Sequence, residues 1–284
     1  MKVPFTRRFG FELEYTSRGA TQQKLAQAIK AAVPGQQVLV HNSHSRQNNN
    51  CRWVVKTDSS CGWEVASRVM LTAADLQKSV RAVRAMQRAG AKVDRRCGFH
   101  VHVEVADFTK DQVATMIQWW VKFERFITDV LDPSRKHNSY CTLVSSNFAG
   151  NRRYNTTDTI ELNESCDREC ALNTTIINWN HRPNSGYRRV EFRIAQGTNN
   201  FVDVQNWVRF LLTFVEFVKT APRPENVNHL LPQEVLETLG LLPKCTSADT
   251  VEMRAWLLDS ALKNAEDKHD RKLIKHIQKQ ISNR

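Results

Sequence analysis

No stretch of this 284-residue chain approaches the roughly 18 consecutive apolar residues that a membrane-spanning helix needs. Its opening, MKVPFTRRFG, has no apolar secretory core. Both absences lead us to expect a cytoplasmic protein. A regular cysteine framework is missing too: the seven cysteines (Cys51, Cys61, Cys97, Cys141, Cys166, Cys170 and Cys245) are odd in number and unevenly spaced, which suits a reducing compartment. Cys166 and Cys170 lie in a polar loop, as a zinc half-site or as two ordinary thiols, and no second Cys or His pair with finger-like spacing accompanies them. Acids are in deficit, 29 Asp+Glu against 41 Lys+Arg, which leaves a net charge of +12. A field of that sign attracts ATP, acidic peptides and nucleic acids alike. The basic residues are spread along the chain, so plain solubility and a nucleic-acid surface both stay open.

What the chain does contain is an alternation repeated in three runs, FGFELEY (9–15), CGFHVHVEV (97–105) and RVEFRIAQGT (189–198). If these are strands, Glu12 and Glu14 share a face, as do His100, His102 and Glu104, and Arg189, Glu191 and Arg193. Phe11, Leu13, Phe99, Val101, Val103, Val190, Phe192 and Ile194 then point the other way. The expectation is one sheet with an apolar back and an ionic front. Crowded carboxylates either take up protons or bind a hard divalent cation such as Mg²⁺ or Mn²⁺, sometimes with a His. Interleaved arginines supply planar donors for phosphate oxygens. Together these groups describe a nucleoside-triphosphate site better than a protease or a zinc hydrolase.

Helical patterns separate the runs. TQQKLAQAIKAAV (21–33) ends at Pro34-Gly35, Thr72 caps a helix to Arg88, and Thr109 caps a longer one to Leu131. Short strands are expected at 37–41, 53–56 and 63–70, the last reached through the turn TDSSCG (57–62). That turn delivers Glu64 either to the site or to the surface. Trp119-Trp120 reads as a base-stacking platform or as core. Residues 132–187 are loop-rich, a candidate lid whose Arg135, Arg152 and Arg153 either close over phosphates or face solvent, and His41 and His44 are ligands or solvated. A helix follows at 202–219, then a proline break at 221–226 and two helical stretches, 233–239 and 248–281. The basic end is a surface for an acidic or nucleic-acid partner, or a strut.

In this order the runs resemble the amidoligase family, carboxylate-amine ligases of the glutamine synthetase and glutamate-cysteine ligase fold. FGFELE is similar to the family's FG-x-E-x-E strand, KTDSSCGWEVAS to its D-x-S loop and E-x-x-S strand, CGFHVHV to its G-x-H-x-H strand, and RVEFRIAQGT to its E-F-R strand with a downstream G-T. Weaker echoes are Ser134-Arg135, Arg153-Tyr154 and Leu172-Asn173. The match covers roughly residues 7 to 200. Ser67-Arg68, where relatives often carry proline, and the extra acid Glu104 depart from the pattern.

The resemblance implies an α+β fold: a curved antiparallel sheet with helices packed on one face, and a catalytic domain over 1–220 with 132–187 as its insertion; the tail has no counterpart in the family pattern, and its own periodicity predicts a helical extension over 221–284. The resemblance also implies ATP and Mg²⁺ or Mn²⁺ as cofactors. Metal ligands would be Glu12, Glu14, Glu64, His100 and Glu191. His100, His102, Arg135, Arg189 and Arg193 would hold ATP. Glu64, Asp58, Arg189 and Arg193 would be catalytic, with Glu64 or Asp58 as the base. The implied activity is ATP-dependent ligation of a carboxylate to an amine, as small molecule, peptide or protein, through an acyl phosphate, in a bacterial, phage or fungal cell. Two alternatives stand beside it: a non-enzymatic basic protein on the same fold that binds nucleic acid or another partner, and an ATP-dependent kinase or nucleotidyltransferase.

Overall fold

The computed structural model describes residues 2–41, 51–148, 166, 168–177, 188–242 and 245–282. His44, Arg152, Arg153 and Tyr154, and with them half of the expected lid, lie outside the described residues. The described residues form seven strands. The chain divides into two compact units, one of Phe5–Glu104 with Ala195–Val208, the other of Met1–Pro4, Val105–Ile194 and Arg209–Arg284.

The first of these units is built on β1 (Phe9–Thr16), paired antiparallel to β4 (Gly62–Ala66) and to β5 (Gly98–Glu104). β3 (Arg52–Asp58) runs antiparallel to β4, and β2 (Gln37–His41) lies parallel to β3, which makes the sheet mixed. Period-two alternation sends Phe11, Leu13, Phe99, Val101 and Val103 into the core. Phe11 meets Trp53 and Phe99 edge-on, with centroids 5.8 and 5.9 Å away. This unit's core is completed by α1 (Gln22–Ala32) and α2 (Ala73–Arg88), which pack on each other through apolar stripes that include Leu25, Ile29, Val80 and Val83.

The expected Thr72 cap forms, in a reciprocal capping box with Asp75, and Thr21, not singled out in the sequence, also caps its helix by accepting from Lys24 N–H. Asp75 also takes Arg68 at 2.7 Å, so the departure Ser67-Arg68 serves the helix start. β4 stops at Ala66, short of the expected Met70. There Ser67 Oγ accepts the Phe11 N–H at 2.9 Å in place of a ladder carbonyl, and Met70 returns only as an isolated bridge to Phe9. Gly62, at φ 136°, turns the chain into β4, and a Cβ there would meet Ser17 N at 2.5 Å.

The other unit is organised by α3 (Lys110–Val130), opened by a Thr109–Gln112 capping box. Trp120 is buried against Phe192 and Phe214, at 5.1 and 5.5 Å, while Trp119 edges onto Phe217 and donates to Pro222 O. The tryptophan pair is packing. After a 3₁₀ turn (Pro133–Arg135) and α4 (Val144–Phe148) come β6 (Leu172–Asn173) and β7 (Arg189–Gln196), which pair antiparallel. β7 passes into the first unit after Ile194, and α5 (Phe201–Thr220) returns from it at Arg209.

The extension is helical, as expected, in three pieces: α6 (Pro232–Thr238), α7 (Ala248–Asn264) and α8 (Lys268–Ser282). The single helix expected over 248–281 is broken because Asp267 restarts it, its carboxylate accepting the His269 N–H at 2.7 Å. α7 packs on α3, and α8 on α6 and α7. No helix among the described residues is long and apolar enough to cross a membrane.

Candidate active site

Register decides which side chains meet on the polar face of β1. Across the ladder Glu14 stands opposite Glu64, Glu64 opposite Lys56, Glu12 opposite His100, and Gly10 opposite His102. Directly opposed residues share a face, so three carboxylates, two imidazoles and one ammonium converge. His100 Nδ1 lies 3.7 Å from Glu12 and its Nε2 lies 3.8 Å from Glu14, while His102 Nε2 lies 3.5 Å from Glu12. Lys56 Nζ holds Glu64 at 2.7 Å. All five residues expected here from the first unit's strands meet. Glu104 turns away to Arg8, where it accepts the backbone N–H at 3.1 Å.

Glu14 is fixed by backbone. Its Oε2 accepts the Gly98 N–H at 2.6 Å, and the Cys61 thiol stands 3.8 Å off the same oxygen. A Cβ at Gly98 would lie 2.7 Å from His100 Nε2 and 3.4 Å from Glu14 Oε2. The glycine therefore makes room for the imidazole and exposes the amide that Glu14 needs. We expect Gly98→Ala to leave the thermal midpoint nearly unchanged, because the obstructing atom is a side-chain end. It should cut turnover by about 10- to 100-fold, since displacements near 1 Å have that effect. Equal activity of variant and parent would remove this role.

Charge crowding shows in the carboxyls. Burial pushes the Glu64 carboxyl up, and the neighbouring Glu12 adds to this; Lys56 pulls the other way, and the group settles at about 8. Burial likewise opposes ionisation of Glu12, but the His102 and His100 imidazoles outweigh it and hold that carboxyl well below the usual range. The Lys56 ammonium is held above its ordinary value: Glu64 and the other acids overcome its desolvation. A folded-state value above the unfolded one means that the native form binds the extra proton. Glu64 thus contributes stability that is complete below the ordinary carboxyl range and declines as pH rises towards about 8. In chelator, urea unfolding should show stability falling by a few kcal/mol across that window, and Glu64→Gln should flatten the slope. A parent slope equal to the variant's would contradict the assignment.

Asp58 serves its turn: Oδ1 accepts Ser60 N–H at 2.8 Å and Cys61 N–H at 3.1 Å, and also the Ser60 hydroxyl. These bonds, led by Ser60, overcome burial and hold its carboxyl low.

In the other unit, Glu191 is buried on β7, its Oε2 accepting from Asn173 Nδ2 at 2.9 Å and its Oε1 paired with the Arg193 guanidinium. Arg193 Nε is buried without a hydrogen-bond partner among the described residues. Arg189 is exposed. Arg135 is buried, with Nε donating to Ile194 O at 2.9 Å and a terminal nitrogen to Arg193 O at 3.2 Å, so it grips the main chain of β7. Two contributors escaped the sequence reading: Lys56, whose spacing from Val54 was the available signal, and Asn173, noted only as a weak motif.

Comparison with curated protein sequences finds no match. Among solved structures, a novel glutamine synthase homolog aligns with a TM-score of 0.41 and 13% identity over 96% of this chain and 71% of its own. The complex of the prokaryotic ubiquitin-like protein Pup with its ligase PafA aligns with a TM-score of 0.39 and 11% identity over 98% of this chain and 63% of that one. Residues 5–215 match the family model described as "Putative amidoligase enzyme". With a match over that much of its length, the chain belongs to the amidoligase family.

Proposed function

We propose that this protein is an ATP-dependent carboxylate-amine ligase that works through an acyl phosphate, with its catalytic machinery in residues 1–220. The observation that carries the reading is the row of Glu64, Glu14, Glu12 and His100 on one sheet face, with Glu64 driven towards protonation by burial and then by its acidic neighbours. That donor set fits a hard divalent cation, Mg²⁺ or Mn²⁺. Glu12, Glu14, Glu64 and His100 are the proposed ligands in the first unit, and Glu191 is proposed as a further one. When bound, the cation neutralises phosphate oxygens.

The chain's own residues do the remainder. Arg193 offers its unmatched Nε–H to the transferring phosphoryl group, and Arg189 approaches from the same strand. Arg135 positions Arg193 by holding β7 rather than reaching ATP itself. His102 is the proposed nucleotide contact.

The substrate carboxylate attacks the γ-phosphorus, ADP leaves, and the amine then displaces phosphate to leave an amide and a proton. Glu64 suits the base better than Asp58: once ionised, its raised carboxyl holds a proton more firmly than one kept low by its turn. Extension 221–284 stands outside the chemistry in this proposal, and the substrates are a carboxylic acid and an amine.

The test uses an acid labelled with oxygen-18 in its carboxylate, together with Mg-ATP and candidate amines. One labelled oxygen should appear in the released phosphate, and ADP should form only when both substrates are present. Release of AMP and pyrophosphate, or a stable phosphorylated product, would instead assign nucleotidyl transfer or kinase chemistry.

A further inference from the structure

The outward face of α8 carries a charge pattern that the ligase reading does not use. Its inner face is fixed: Ile274 and Ile277 are buried, and buried Asp270 takes Arg125 of α3 at 2.6 Å. At 100° per residue, Lys268, Lys272, Lys275 and Lys279 fall within an arc of about 60° opposite that anchored side. All four are exposed, and none makes a hydrogen bond or ion pair among the described residues. The acids nearby are engaged elsewhere, Asp259 by Gln278, Glu266 by Lys136, and Asp267 and Asp270 by Arg125.

Lysines three and four apart on one helix face repel, each pair costing a few tenths of a kcal/mol, and interspersed glutamates would relieve this while keeping the surface soluble. None is present on this face. From the first to the last of its twelve residues, at about 1.5 Å per step, the stripe is about 16 Å long. A nucleic-acid strand presents a phosphate about every 3.4 Å of axis, so the stripe can follow four or so successive phosphates. An extended acidic peptide alternates its side chains, so only every second charge, about 6.6 Å apart, can face the stripe.

We propose that the Lys268–Lys272–Lys275–Lys279 face of α8 docks the phosphodiester backbone of a nucleic acid. Contact is to phosphate alone, so binding is independent of base sequence and depends steeply on salt. The proposal stands apart from the ligase reading, and these lysines lie outside the proposed catalytic set.

The experiment titrates the full-length protein into a labelled 20-base-pair duplex DNA from 50 to 300 mM salt, following fluorescence anisotropy. The fourfold Lys→Gln variant should bind at least about 30-fold more weakly at 50 mM salt and lose about 3 units of the log–log salt slope, whereas the fourfold Lys→Arg variant should keep both. Circular dichroism should show both variants folded, because the substituted face is opposite the core. Absence of binding by the parent at 50 mM salt, or equal binding by the Gln variant, overturns the proposal. So does displacement of the DNA by polyglutamate at matched charge, which would assign the face to an acidic protein.

Discussion

A protein carrying Glu12→Gln and Glu14→Gln together is expected to fold and to lose ATP-dependent turnover by about 10³-fold or more. Folding should survive because the structural duty of Glu14 is to accept the Gly98 N–H at 2.6 Å, which a glutamine oxygen can also do. Chemistry should not. Both substitutions remove anionic ligands from the row that also includes Glu64 and His100, and a site left with one of its three carboxylates holds a divalent cation far less tightly. A loss of 10³ corresponds to about 4 kcal/mol in the barrier, within what a metal-dependent phosphoryl transfer owes to its ligands.

The substitution has a second consequence in the same row. Glu12 and Glu14 both push the Glu64 carboxyl up, so the double variant should bring it back down and weaken it as a base. ADP release and Mn²⁺ binding by electron paramagnetic resonance would be read side by side. Retained turnover with unchanged Mn²⁺ affinity would end the ligase assignment of this face.

The largest stability effect is expected at Glu124→Ala. This carboxylate is 1% exposed in the middle of α3 and accepts three hydrogen bonds, from Val144 N and Ser145 N at 2.7 Å each and from Trp120 Nε1 at 3.2 Å. Two of those donors are the otherwise unsatisfied first amides of α4. Alanine would leave all three buried without a partner and add a cavity, a cost of about 3–5 kcal/mol. Glu124→Gln retains an acceptor oxygen and should cost about 1–2 kcal/mol. Urea denaturation resolves the two. A Glu124→Ala protein as stable as the parent would mean that α4 does not depend on this cap.

Legibility in the sequence followed the range of the interaction. Alternation in FGFELEY and CGFHVHVEV is local, and the side-chain period of a strand fixes its two faces, so Glu12, Glu14, His100 and His102 were placed correctly relative to Phe11, Leu13, Phe99 and Val101. Caps at Thr72 and Thr109 are local too. Arg135 was harder, since its partners are main-chain carbonyls of Arg193 and Ile194 and nothing in the neighbourhood of Ser134-Arg135 signals them. Lys56 was hidden because Trp53, Val54 and Val55 are all buried, which blurs the two-residue period of β3 just where it matters. Asp267, by contrast, was a legible helix start inside a long basic stretch that reads as continuous when only its apolar positions are followed.

The pairing of β1 with both β4 and β5 also constrains how the chain can change over evolution. Deleting or inserting one residue between Gly10 and Tyr15 would invert the strand, sending both glutamates beneath the helices and two large hydrophobic groups into solvent. Tolerated length variation in this segment must therefore come in steps of two, or be confined to the turns at its ends. Lineages that drift here should vary in side chain while keeping residue count constant.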